Sequence, residues 1–291
     1  MTPTATLTSL ALAAPEDYTS PAQTPSSDTS HGTRDVLIAA AAALAAIETA
    51  RISRAAAAYL RFIPQILALA TTKTTRRSFL AATKAPVQHY LDHLNDDLQG
   101  AHRAAALLGR QSATLELSQV LPTVLPTAKP TKDYPITPPG PFLQRAVSDV
   151  SASVKTTIAE LVGPTAPTTP KDIKTKLVST GNRIKMAVSA VVNRAFTDEQ
   201  ISVYDSAVTL TPGLRMEKIW RVGASDPCPE CEALDGTRVG ILEDFPFALT
   251  AKAPRVYRNE LPGPPRHPSC VTGDTRVAAG EDITTTSERW Y

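Results

Sequence analysis

The sequence predicts a mainly α-helical protein with a small C-terminal α+β unit and Pro-rich linkers between the helical segments. Three observations predict it. Apolar residues recur at helical spacing over several long stretches, proline clusters separate those stretches, and β-favouring residues alternate only beyond residue 214. The 291 residues are 42 % hydrophobic, enough for a real core, yet only 5 % aromatic, and 25 are proline. Alanine dominates the first third, so the expected cores are thin.

Residues 1–34 are rich in Thr, Ser, Pro and Ala, a composition that does not repay the entropy of ordering, and read as a flexible leader. Asp35 is the expected N-cap of a helical region spanning 35–112. Its first stretch carries Leu37, Leu44, Ile47, Ile52, Tyr59, Leu60, Ile63 and Leu67, and Pro64 is expected to kink or divide it. Its second, from about Thr75 to Gly109, carries Val87, Tyr90, Leu91, Leu94, Leu98 and Leu107, with a break expected near Pro86. The two are expected to pack as a helical hairpin. Seven prolines between Pro122 and Pro141 then make residues 113–141 a linker and the first domain boundary.

Helical spacing resumes over Phe142–Val162 and ends at Gly163-Pro164. After a Pro-rich break at 164–170, Lys171–Phe196 reads as a long amphipathic helix, with Lys174, Lys176, Arg183, Lys185 and Arg194 on a basic face. A solvated face is the plain reading of those residues; weak DNA contact through 171–194 is the sharper one. A short helix around Glu199–Val208 and a turn at Pro212-Gly213 follow. Met216–Val222 then reads as a strand, in which Ile219 and Trp220 supply bulky β-favouring side chains.

Charge and motifs exclude several classes of function. A net charge of +2 without a concentrated Lys/Arg run does not describe a dedicated nucleic-acid binder. The Leu7–Ala14 apolar run lacks a preceding positive segment, so no secretory signal is expected, and Val36–Ile47 is too short for a membrane span. No nucleotide-binding glycine motif or G-x-S-x-G appears, and neither an enzyme nor a small-molecule substrate is expected.

The chemistry concentrates near the C-terminus. Cys228-Pro-Glu-Cys231 is followed by Pro264-Pro-Arg-His267-Pro-Ser-Cys270, gathering all three cysteines and one of five histidines. A C-x-x-C turn lets two sulfurs converge on one ion, and His267 with Cys270 would complete a tetrahedral set, giving a zinc-knuckle-like unit over 214–270. Unligated buried thiols are the bland alternative. A redox pair is a weaker one, since no βαβ pattern surrounds the cysteines. A filled tetrad leaves no open position, so the zinc would be structural rather than catalytic.

The run Trp220-Arg-Val-Gly-Ala-Ser-Asp-Pro-Cys228-Pro-Glu-Cys231-Glu-Ala-Leu-Asp-Gly236, with Pro264–Cys270, resembles the C-terminal core of the phage Mu F-like head morphogenesis family. That family shows a Trp-containing strand, a C-x-x-C, a nearby glycine and a closing P-P-x-H-P-x-C-R-C. The resemblance covers about residues 142–270 and is specific over the last 55 or so. It implies a minor capsid protein of the virion, associated with portal or major capsid subunits and aiding head assembly or DNA delivery, whose cysteines and histidine bind metal.

In place of the family's final C-R-C stands Cys270-Val-Thr-Gly-Asp-Thr-Arg-Val277, which looks like the opening of a Hint or intein block spanning 271–291. In that reading Cys270 is an autoprocessing nucleophile, and the chain is the carrier part of a self-processing or toxin-delivery fusion. No Thr-x-x-His block follows within these residues, so they are not expected to splice by themselves. A zinc-bound thiolate is not free to attack, so Cys270 cannot hold both roles at once.

His89 and His93 stand four apart on the second helical stretch beside Asp92, Asp96 and Asp97, a spacing at which two imidazoles can share a metal, though a solvated helix face is the plainer reading. Asp226, Glu230, Glu232 and Asp235 surround the C-x-x-C and are assigned to solvent.

Overall fold

The computed structural model describes residues 31–72, 75–120, 140–162, 166, 169–210, 216–222, 233–241, 243–245 and 273–279. Four helices, α1 (His31–Thr72), α2 (Arg76–Val120), α3 (Pro141–Ala159) and α4 (Pro170–Leu210), precede the strands β1 (Met216–Val222), β2 (Arg238–Gly240) and β3 (Gly273–Ala279). The protein is mainly helical.

Helix starts follow local chemistry. Thr75 accepts the Ser78 backbone N–H at 3.2 Å ahead of α2. Pro141 occupies the first turn of α3 behind Gly140, where its missing N–H costs nothing. At α4, Thr169 accepts the Asp172 N–H at 3.2 Å and donates its hydroxyl to the Asp172 carboxylate at 2.7 Å, satisfying donor and carboxylate together.

The helices are longer than their local signals. The first begins at His31, ahead of Asp35, and α1 and α2 run on through Pro64 and Pro86, where a break was expected. Packing outweighs the lost backbone bond: Phe62, Ile63 and Ile66 beside Pro64, and Thr83, Val87 and Tyr90 beside Pro86, are all buried. The expected pair of helices at 171–196 and 199–208 is one helix. Helix α2 continues to Val120, eight residues into the segment read as a linker from 113, and buries Ala113 and Leu117 there.

The expected hairpin of α1 on α2 is present, and α4 packs against α1, α2 and α3. One apolar cluster draws on all four helices, so the helical regions on either side of the Pro-rich segment share a core. In α2, Ala101, Ala105, Ala106 and Ala113 are fully buried, and small residues let α4 approach closely. The approach is closest at Gly109, where an added Cβ would lie 2.2 Å from the Phe196 carbonyl oxygen. Aromatic side chains fill the α1–α2 interior: Phe62 stacks on Tyr90 at 4.6 Å between centroids, and the Tyr59 hydroxyl donates to the Leu177 carbonyl at 3.1 Å.

By length and hydropathy Ala39–Thr72 is a helix able to cross a bilayer, and 28 % of its most apolar window is buried inside the protein. Within it, Ala55, Tyr59, Phe62, Ile63 and Ile66 belong to the shared core.

The strands form an antiparallel sheet in the order β2-β1-β3. The expected strand at 216–222 is β1, the central one. Alternation places Met216, Lys218 and Trp220 on one face, all buried. Met216 and Ile241 pack with Ala113 and Leu117 of α2 and Ile201, Tyr204 and Ala207 of α4, which fastens the sheet to one end of the helical body.

Candidate functional site

Cys228, Cys231, His267 and Cys270 lie outside the described residues, but their flanks lie within them. The Trp220 N–H donates to the Thr237 carbonyl at 2.9 Å, and the Gly236 N–H donates to the Trp220 carbonyl at 2.8 Å. The segment between β1 and β2 that carries the C-x-x-C therefore leaves and re-enters the sheet at one place. Gly236 has φ of 77°, a left-handed conformation that disfavours any side chain, and this gives the glycine after the C-x-x-C a physical reason.

The register of β3 bears on the second half of the motif. All seven residues of β3 pair with β1, from Met216 opposite Ala279 to Val222 opposite Gly273. Gly273, three residues after Cys270 in sequence, and Leu234, three after Cys231, both stand at this end of the sheet. The strand β3 lies wholly inside the 271–291 segment read as the start of a separate block.

Trp220 is fully buried, edge-on to Phe245 at 5.1 Å, and its indole N–H has no hydrogen-bond partner among the described residues. Lys218 stands beside it on the buried face with its ammonium 5.5 Å from the Phe245 ring centre. Desolvation lowers the pKa of Lys218, and the Asp244 carboxylate opposes that shift.

Between α2 and α4 runs a buried polar seam that sequence spacing did not reveal. Arg110 of α2 donates to Glu199 Oε2 from Nε at 3.0 Å and from an end nitrogen at 2.7 Å, and Glu199 is almost wholly buried. Arg194, expected on the basic face, is 8 % exposed and pairs with Asp198 one turn on. The Tyr204 hydroxyl donates to Glu116, whose carboxyl burial pushes up to about 8. Burial lowers the pKa of His102, against the raising effect of Asp198 and Glu199. These groups orient α2 on α4; their polarity, read along one helix at a time, looks like solvated surface.

The remaining residues of the expected basic face divide. Lys174 and Arg183 are exposed and Lys185 is half-buried, whereas Lys176 pairs with Glu160 at 2.7 Å. A cleft of about 690 Å³ lies between α3 and α4, where Ser153, Thr156, Thr157, Ser179 and Thr180 offer hydroxyls beside Lys176 and Arg183. Asp149 and Glu160 line it as well, so its charge is balanced. On the outer face of α2, the Nε2 atoms of His89 and His93 stand 3.2 Å apart with the rings edge to face at 4.4 Å. No cluster of three or more His, Cys, Asp or Glu able to hold a metal occurs among the described residues.

No protein-family model matches the chain, and no curated protein and no solved structure matches it either.

Proposed function

We propose that the chain is a minor capsid or head-morphogenesis protein of the phage Mu F-like class, whose helical body docks on portal or major capsid subunits in the virion. Its C-terminal unit would be stapled by zinc through Cys228, Cys231, His267 and Cys270. The observation that carries this reading is the agreement between motif and register. The described residues that follow the two sequence-distant motif halves, Leu234 and Gly273, stand at one end of the sheet, which supports the reading.

Bound there, zinc would cross-link the β1–β2 connection to the segment entering β3, with three thiolates and one imidazole as ligands. The staple suits a unit whose β2 strand has three residues and whose own core is small. The helical body, with one apolar core drawing on all four helices, is a platform suited to docking.

Metal analysis of the full chain tests the staple. One zinc per chain, lost with a chelator and accompanied by a lower melting temperature, is expected; a metal-free chain that melts identically with and without chelator removes it. Mass-spectrometric detection of the chain in purified virions, with co-sedimentation on portal rings, tests the assembly role, and absence from virions refutes it.

The self-processing reading rests on Cys270–Val277 as a sequence. Reading the open reading frame beyond Tyr291 separates it: a Thr-x-x-His block and a His-Asn followed by Cys-Arg-Cys supports it, and an immediate stop opposes it.

A further inference from the structure

The imidazoles of His89 and His93 form a pair outside the zinc-knuckle reading. Both side chains are exposed on α2, four residues apart, and their Nε2 atoms face each other at 3.2 Å. Without metal this is a hydrogen bond, one Nε2 donating and the other accepting.

The same distance suits metal chelation. Two imidazole nitrogens at about 2.0–2.1 Å from one ion are roughly 2.9 Å apart for a right-angle arrangement and roughly 3.4 Å apart for a tetrahedral one. The observed 3.2 Å falls between them. A metal could therefore take the place of the bridging proton, which passes to Nδ1 of the same ring as that ring changes tautomer, with little movement of either ring, and the helix supplies the preorganisation, since residues four apart lie on one face.

The surroundings suit a cation. Asp96, seven residues beyond His89, stands exposed on the same helical face, one turn past His93. Asp92 lies between the histidines and accepts a hydrogen bond from Gln88 at 2.8 Å. Asp97, the next acidic residue along, holds Arg54 of α1 at 3.4 Å.

We propose that His89 and His93 form a solvent-facing chelate for a borderline transition ion of the nickel, copper or zinc class. It takes two imidazole ligands from α2, with the other positions filled by water. The ligand type selects against magnesium and calcium, which prefer oxygen donors.

The test is isothermal titration of nickel(II) into the full chain already equilibrated with one equivalent of zinc. The expected result is one nickel per chain, at least tenfold weaker binding in H89Q and in H93Q, and unchanged binding in C228S/C231S, which is titrated without added zinc because the zinc would otherwise fall to the histidine pair. Circular dichroism of each variant checks that α2 remains folded, and nickel should raise the melting temperature of the wild type but not of H93Q. Equal nickel binding by the wild type and H93Q, or no nickel binding by the wild type, overturns the proposal. Loss of nickel binding in C228S/C231S with retention in both histidine variants also overturns it, and zinc content read separately leaves the knuckle on its own evidence.

Discussion

Glu116 should make the stability of this protein fall as pH rises from weakly acid to weakly alkaline. Its carboxyl is buried between α2 and α4, accepts the Tyr204 hydroxyl, and is pushed up to about 8 by burial, against an ordinary value of 4.5. The folded state therefore holds a proton that the unfolded chain releases. Stability from this group is full below about pH 4.5, declines up to about pH 8, and is then lost. Ionising it inside the protein costs about 5 kcal/mol in total, of which about 3 kcal/mol is felt at pH 7.

Substitution by glutamine keeps an acceptor for Tyr204 and removes the titration. Urea unfolding of wild type and E116Q from pH 5 to 9 should give a stability difference that grows by about 1.4 kcal/mol per pH unit up to about pH 8 and then levels. Any fixed cost of placing an amide there shifts the whole difference without changing its slope. Other titrating groups, His102 and Lys218 among them, cancel in the comparison. A difference independent of pH would refute the reasoning, because it would mean that Glu116 ionises alike in both states.

Gly109→Ala should cost about 1–3 kcal/mol by denaturation, because its Cβ would meet the Phe196 backbone, whereas Gly100→Ala, facing only the end of the Arg51 side chain, should be neutral or slightly stabilising. Removing Arg110 alone (R110M) should cost about 3–5 kcal/mol by stranding Glu199, and R110M/E199L should recover most of it; a double variant no more stable than the single one would refute this account of the seam. Lys218→Met should leave stability unchanged or raise it, since the ammonium is buried with only partial compensation, and a loss above about 2 kcal/mol in thermal melts would contradict that.

The helical spacing of Tyr59, Ile63, Tyr90, Leu91, Leu94 and Leu98 was legible because each apolar residue reports its own face, and those residues form the shared core. Pro64 and Pro86 misled, since a local breaker signal carries no information about the packing that overrides it. The α4 seam was hidden for a related reason. Arg194, Asp198 and Glu199 are charged, and the pairing of Arg194 with Asp198 together with the arrival of Arg110 from α2 against Glu199 makes their place in the interior tolerable. In the strand, Ile219 and Trp220 read alike as bulky β-favouring residues, so the inward face was not legible, and the burial of Lys218 depends on alternation with Trp220 and on the Phe245 ring. The tetrad of Cys228, Cys231, His267 and Cys270 was read entirely from spacing, and the structure adds the register of its flanks.

That register makes β3 the element on which the metal and self-processing readings part. Among the described residues, β1 has two strand partners, one of three residues and one of seven, so β3 supplies most of its ladder. Cleavage before Cys270 would detach β3 from the chain that carries Trp220, and the sheet would lose several backbone hydrogen bonds worth about 0.5–1.5 kcal/mol each. Val277→Pro tests this coupling without cleavage, since proline constrains the strand and removes one backbone donor opposite Lys218. In a W290F background, where Trp220 is the remaining tryptophan, V277P should shift emission to longer wavelength and lower the melting temperature. Unchanged emission and melting would mean that β1 holds its place without β3, and the register would then lose its value as support for a metal bridging the two segments.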